Sequence, residues 1–252
     1  MFFKTTNFFT FSFFLLMTLS SAKVFAKEKI LTLHYAERPP YAVTDLNGQA
    51  YGLFSTPIVK ALKKAKIPFL WVKTPINRQF LLLKENKNAG DDPVCAVGYY
   101  KTSEREKFTK FSKPYYLSKG LVVVTGIKIK KKKDQTFENF MKNHTIILKE
   151  NYSYGPEVDA LLLKLNPNKV TTPGEAEQMI EMVTLGHGDY IVMSREEIDY
   201  YIKKGSAKKT LLSVLTFSDL PKGLFRYLMC SKSVSDQAMD QINKNITFKP
   251  LD

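Results

Sequence analysis

Between residues 30 and 245, short apolar runs alternate with stretches whose apolar residues recur every three or four positions, and this alternation occurs twice over. No other feature narrows the possible folds as much, because strands separated by helical crossovers lie side by side in parallel sheets. Residues 30–35 alternate apolar and polar side chains and predict a first strand. Arg38-Pro39-Pro40-Tyr41 breaks it, and Asp45-Leu46-Asn47-Gly48 is turn chemistry. Ser55 or Thr56 then caps a helix with Pro57 in its first turn and Ile58, Ala61, Leu62 and Ala65 on one face. A strand at 69–72 and a helix opened by Thr74-Pro75 follow. Residues 94–99 are apolar throughout, as in a strand covered on both faces.

The second unit repeats the order. Residues 120–125 and 145–148 predict strands, and "NYSYGPE" leads into a helix over 156–165. A short strand at 170–171 precedes a helix capped by Thr172-Pro173, carrying Ala176, Met179, Ile180 and Val183 on one face and closed by Gly186. Residues 190–193 form a strand, and Ser194-Arg195-Glu196-Glu197 has the form of a capping box opening the next helix. Strands at 211–215 and 225–230 and a helix from about Ser235 complete the chain. Two such units, joined near residues 116–124, predict an α/β chain of two lobes, each a mostly parallel sheet flanked by helices. Ligands of such sheets bind beyond the carboxyl ends of the strands. Three strand ends, at 98–105, 151–155 and 194–196, are therefore expected to line one shared cleft.

The first 26 residues set the compartment. Lys4 is followed by an apolar run over 8–19 and by Ala22-Lys23-Val24-Phe25-Ala26, the order of a secretory signal cleaved after Ala26. The run is too short to span a bilayer, which takes about 20 residues. The whole chain carries +14. Its first 26 residues hold two of the 38 basic side chains and none of the 24 acidic ones, so the exported part keeps +12 and favours anionic partners. Export argues against nucleic acid. The run Ile129-Lys130-Lys131-Lys132-Lys133 has no aromatic to stack on bases and reads as a solvated loop. Cys95 and Cys230 both lie in apolar runs. They are either two buried thiols or a disulfide, and an oxidising compartment favours the bonded pair.

Catalytic sets are missing. His34, His144 and His187 are scattered, no Cys-x-x-Cys and no Gly-x-Ser-x-Gly occurs, and "LGHGD" lacks the third glycine of a dinucleotide loop. No cofactor or metal is expected. Recognition chemistry is better represented. Arg105 follows a strand end, where a guanidinium can grip a carboxylate through two charge-assisted bonds. Tyr41, Tyr99, Tyr100 and Tyr154 sit at chain breaks, Gly98 permits close backbone approach, and Ser153 and Ser194 stand at helix starts. Arg78 offers a second cation. The bland alternatives are as concrete. Ser103-Glu104-Arg105-Glu106 is itself a capping box, which would make Arg105 a helix-surface charge; capping alone explains Ser194; and Arg78, opposite Phe80 and Leu81, can be solvated.

Taken in order, "RPPY", Asn47-Gly48, Gly52-Leu53, Thr102-Ser103-Glu104-Arg105, "FSKPYY" and "GLVVV" resemble family 3 of the bacterial extracellular solute-binding proteins. The resemblance implies a type II periplasmic-binding-protein fold, with lobe one over 27–119 plus 226–252 and lobe two over 120–225. It implies a monomer in the periplasm that closes on a small carboxylate-bearing solute and delivers it to an ABC permease. It also implies that Arg105 holds the carboxylate, Tyr41 lines the cleft, and Gly98 and Tyr100 supply donors. The sequence departs from the family where amino-acid receptors place a lobe-two carboxylate for the ligand's ammonium: Ser194 stands there, with Glu196 nearby. That departure weighs against an α-amino acid and leaves a small carboxylate-bearing solute, a polar amino acid or related organic acid. Two rivals share the fold. One is a secreted dehydratase of carboxylated rings, using Glu37 or Glu196 as general acid; the other is a stand-alone sensor.

Overall fold

The computed structural model describes residues 1–2, 29–150 and 152–248. The signal segment expected at 1–26 lies, but for its first two residues, outside the described residues, as does Asn151.

The first half of the chain runs β1 (Leu31–Tyr35), β2 (Val43–Thr44), β3 (Ala50–Tyr51), α1 (Ser55–Ala65), β4 (Phe69–Lys73), α2 (Ile76–Glu85), β5 (Val94–Tyr99), α3 (Ser103–Glu106), β6 (Thr109–Phe111) and β7 (Tyr116–Leu117). The second half runs β8 (Leu121–Gly126), α4 (Phe137–Met141), β9 (Ile146–Lys149), α5 (Pro156–Leu165), β10 (Lys169–Thr172), α6 (Ala176–Leu185), β11 (Tyr190–Ser194), α7 (Arg195–Lys204) and β12 (Leu212–Leu215). The chain then returns to the first sheet through β13 (Phe225–Ser231) and ends in α8 (Asp236–Asn245), which packs against α1.

One sheet has the order β4-β1-β5-β13-β6, with β7 also paired to β13; the other has the order β10-β9-β11-β8-β12. Both are mixed rather than mostly parallel. Strands separated by helices pair in parallel, as β1 does with β4 and β5, and β9 with β10 and β11. Strands that cross directly between the sheets come in from the opposite end. β13 therefore runs antiparallel to β5, β6 and β7, and β8 antiparallel to β11 and β12. A βαβ reading of the sequence accounts for the first kind of strand but carries no information about the second.

Burial explains why these segments hold. α1 buries Ile58, Ala61 and Leu62 against Leu33 and Leu228. In β8, Val123 faces Phe137, Phe140 and Tyr190, while Val122 and Val124 face Ile180, Ile191 and Ile198 on the other side of the sheet. A continuous valine run is thus what this strand needs. Three expected caps differ: neither Ser55 nor Thr56 caps α1, whose N-cap is Phe54 with no side-chain capping bond, and two others move by one to three residues. Thr102, not Ser103, caps α3 by accepting from the Arg105 N–H, and Glu175 with Gln178 forms the reciprocal capping box of α6 in place of Thr172-Pro173. Cys95 and Cys230 are directly opposite each other on β5 and β13 and are joined by a disulfide.

Candidate functional site

The carboxyl end of β5 turns into a cavity of about 90 Å³ between the two sheets, with walls from both halves of the chain. Gly98 begins the turn with φ +80°, and a Cβ there would lie 2.1 Å from the Phe54 ring. Only glycine combines that backbone with that proximity. Phe54 stacks on Tyr41 with ring centroids 4.3 Å apart, so Gly98 seats one aromatic wall. Tyr99, Phe80 and Tyr100 continue the lining, and Gln79 reaches it from α2 while donating to the Thr74 carbonyl at 2.7 Å.

Arg105 stands at this wall. Its backbone N–H goes to Thr102 Oγ1 at 3.3 Å, and its Nη1 donates to the Tyr100 carbonyl at 2.8 Å. The guanidinium lies 5.1 Å from the Phe80 centroid and 5.4 Å from that of Tyr99. No carboxylate lies within ion-pair distance of it among the described residues. Burial lowers its pKa from the ordinary arginine value. A half-buried guanidinium held by neutral groups is short of negative charge.

Across the cleft the halves touch through Arg38, Tyr152 and Glu197, which sequence reasoning did not assign to binding, and through Tyr41 and Ser194, which it did. Arg38 donates through Nε and Nη2 to the two oxygens of Glu197, each at 2.7 Å, and through Nη1 to the Tyr152 hydroxyl. The Glu197 side chain is 1% exposed. Burial works against the charge on Arg38, but Glu197 holds its pKa well above the ordinary value. Tyr41 and Ser194 hydrogen-bond hydroxyl to hydroxyl across the same gap. Ser194 occupies the N-cap position of α7 without a capping bond. The capping-box reading of Ser194 and Glu197 is therefore corrected: both side chains reach the other half of the molecule. Behind this bridge lies a second cavity of about 50 Å³, which includes Lys149, Glu175 and Met193.

Arg226, on β13, was missed because it lies in an apolar strand. It is 4% exposed, lines the cavity, and packs 3.6 Å from the Tyr100 ring centroid. It donates to the Gly98 carbonyl at 3.3 Å and to the Tyr100 hydroxyl.

Of the residues expected at the site, Arg105, Tyr41, Gly98, Tyr100 and Ser153 line the larger cavity. Ser153 also donates to Asp159, which ties it to the start of α5. Ser194 meets the site only through Tyr41. Tyr154 is buried in the second half, where its hydroxyl accepts from the Lys149 N–H at 2.8 Å. Arg78 is exposed and outside both cavities, because one helical step turns it away while presenting Gln79. Neither carboxylate offered as a general acid is free to act. Glu37 is bound by Thr44 and Lys73, which lower its pKa despite burial. Glu196 has its pKa raised by burial, but it is held by the Lys119 N–H and the Tyr116 hydroxyl and lines neither cavity. Among the described residues there is no metal-ligand cluster and no helix long and apolar enough to cross a membrane.

No protein-family model and no curated protein matches the chain by sequence. Solved structures do match it. An ancestral arginine-binding protein bound to arginine is 19% identical over 87% of this chain and 91% of its own, with a TM-score of 0.64. The substrate-binding protein of an amino acid ABC transporter is 20% identical over 86% and 91%, with a TM-score of 0.61. A histidine kinase sensor domain with similarity to periplasmic binding proteins is 15% identical over 86% and 88%, with a TM-score of 0.67. Shared across nearly the whole chain by proteins with different tasks, this architecture of two mixed sheets flanked by helices is the type II periplasmic-binding-protein fold.

Proposed function

We propose that the protein is an extracytoplasmic solute receptor whose two lobes, 27–119 with 226–252 and 120–225, close on a small carboxylate-bearing solute. The observation that carries this reading is Arg105: a guanidinium with no carboxylate within ion-pair distance among the described residues, seated among aromatic rings in a cavity between the sheets. A ligand carboxylate supplies the missing charge through two parallel bonds. The Arg38–Glu197 and Tyr41–Ser194 contacts hold the lobes together over it, so binding and closure are coupled. The closed face is what an ABC permease in the inner membrane would recognise. The likeness to a transporter's binding protein supports delivery to such an importer, and the likeness to a kinase sensor domain supports a signalling partner as the second reading. Solute uptake and signalling output in a deletion strain separate the two.

The binding test is a thermal-shift and calorimetric screen of organic and amino acids on the protein and on Arg105→Met. Each charge-assisted bond is worth about 1.5–3 kcal/mol, so affinity should fall at least about tenfold. Without ligand, the variant should melt no lower than the parent, because an uncompensated charge has been removed. A hit that binds both proteins equally well refutes the site.

A further inference from the structure

The larger cavity is lined by charges of one sign. Three arginines, Arg38, Arg105 and Arg226, line the larger cavity, and among the described residues no carboxylate does. Glu197 answers only Arg38, with both of its oxygens engaged. Glu196, near Arg226, has its oxygens engaged by the Lys119 N–H and the Tyr116 hydroxyl. Among the described residues neither Arg105 nor Arg226 has a carboxylate within ion-pair distance: Asp159, whose charge reaches Arg105, is held by the Ser153 hydroxyl and the Tyr154 N–H, and neither it nor Glu196 lines the larger cavity to meet an ammonium group.

Arg226 is the less expected of the two. It is 4% exposed, its two acceptors are a carbonyl and a phenol, and its buried Nε has no hydrogen-bond partner among the described residues. Neutral oxygens solvate part of a guanidinium but do not neutralise it; Glu196 acts on Arg226 only through space, and a buried donor without a partner is costly. Arg105 and Arg226 also hold opposite ends of one residue: Arg105 donates to the Tyr100 backbone carbonyl and Arg226 to its hydroxyl. Two cations set apart along a tyrosine suit two acid groups on one short skeleton better than a single acid group. The rings of Phe54, Tyr99 and Tyr100 between them suit an apolar spacer, and a cavity of about 90 Å³ keeps that skeleton compact.

We infer that the cleft is built for a compact dicarboxylate without an ammonium group, Arg105 holding one carboxylate and Arg226 the other. This rests on the receptor reading above and adds the ligand's charge and class to it.

The test compares ligands on the unaltered, signal-free protein, so it does not depend on a variant folding. Calorimetry is run with malonate, succinate and glutarate, with the monomethyl ester of succinate, with butyrate, and with aspartate and glutamate. The best dicarboxylate should bind at least about tenfold more tightly than its monoester or butyrate, the loss expected for one charge-assisted contact. Aspartate and glutamate should bind more weakly than succinate and glutarate. Arg226→Met, checked for native circular dichroism, should bring dicarboxylate affinity down to that of the monoester while leaving monoester affinity within about twofold. Arg226→Lys, which keeps the charge, should retain part of the preference. Tighter binding of the 2-amino acids, or an equal loss for every acid in Arg226→Met, overturns the dicarboxylate assignment while leaving the receptor reading in place. Binding of no acid at all overturns both.

Discussion

Arg38 and Glu197 form a bidentate pair whose two members are unequally buried: the Arg38 side chain is 25% exposed and that of Glu197 1%. Removing the arginine strands a buried carboxylate, which costs about 3–5 kcal/mol where no relief exists. Opening the cleft provides relief by letting water reach Glu197. Arg38→Met should therefore shift the ligand-free protein toward an open form, seen as a larger radius of gyration in small-angle scattering. Glu197→Gln should do so less, because Arg38 already touches solvent. Equal radii for the parent and both variants would show that the pair does not hold the lobes together. Gly98 is the opposite case, a residue defined by what it lacks. With φ +80° and Phe54 2.1 Å from an added Cβ, Gly98→Ala should cost roughly 1–3 kcal/mol in urea unfolding, and Phe54→Leu should restore part of it. Arg105, Tyr41, Tyr100 and Gly98 were legible at the site because each stands at a strand end or chain break. Glu197 was not, and Ser194 was named without its bond to Tyr41, because Ser-x-x-Glu ahead of a helix has a sufficient local explanation. Only the other half of the chain, brought close by the fold, competes with it.

β1 is tied to the junction between β4 and α2 through His34, whose Nδ1 lies 2.7 Å from Thr74 Oγ1 and whose pKa burial lowers from 6.5. A base with a lowered native pKa binds fewer protons folded than unfolded. Stability contributed this way is complete above 6.5 and is lost as pH falls toward the native value. Glu196 acts in the other direction. Its native pKa is raised from 4.5 by burial, so stability falls as pH climbs from 4.5 toward the raised value. The two groups act in opposite directions, and single variants separate them. His34→Asn should flatten the loss of stability below pH 6.5 in urea titrations, and Glu196→Gln should flatten the loss above 4.5. An unchanged slope in His34→Asn would mean that the imidazole titrates normally. The periodic segments of these sheets were readable from sequence. β5 and α5 have the expected limits, and α1 starts and ends where its apolar face does. β6 and β7, three and two residues long, were not, since they are strands only by virtue of pairing with β13. Strand direction was not legible either, because the crossings between sheets carry no helix to mark them.

At the scale of the whole molecule, the Cys95–Cys230 bond closes a loop of 135 residues that contains every strand of the second sheet. Both cysteines lie on adjacent strands of the first sheet, so the first sheet is assembled from segments far apart in sequence while the second is continuous. In the chain-entropy picture such a bond stabilises by restricting the unfolded chain, typically by 2–5 kcal/mol. That restriction bears on bringing β5 and β13 together and has no bearing on the contiguous sheet. Reduction should therefore weaken the first sheet selectively. Trp71, the chain's single tryptophan, sits on β4 in that sheet and reports its unfolding alone, whereas far-UV circular dichroism reports both sheets. In the oxidised protein the fluorescence and dichroism melts should coincide. Under reductant, or in Cys95→Ala/Cys230→Ala, the fluorescence midpoint should fall by roughly 5–20 °C, given 2–4 °C per kcal/mol for a chain of this size. Dichroism should then resolve a later step from the intact second sheet. A fluorescence midpoint that does not move would remove the bond from the stability of the first sheet. Equal shifts by both probes would mean that the two halves unfold as one unit, with the interlobe contacts of Arg38 and Tyr41 binding them more strongly than the covalent topology separates them.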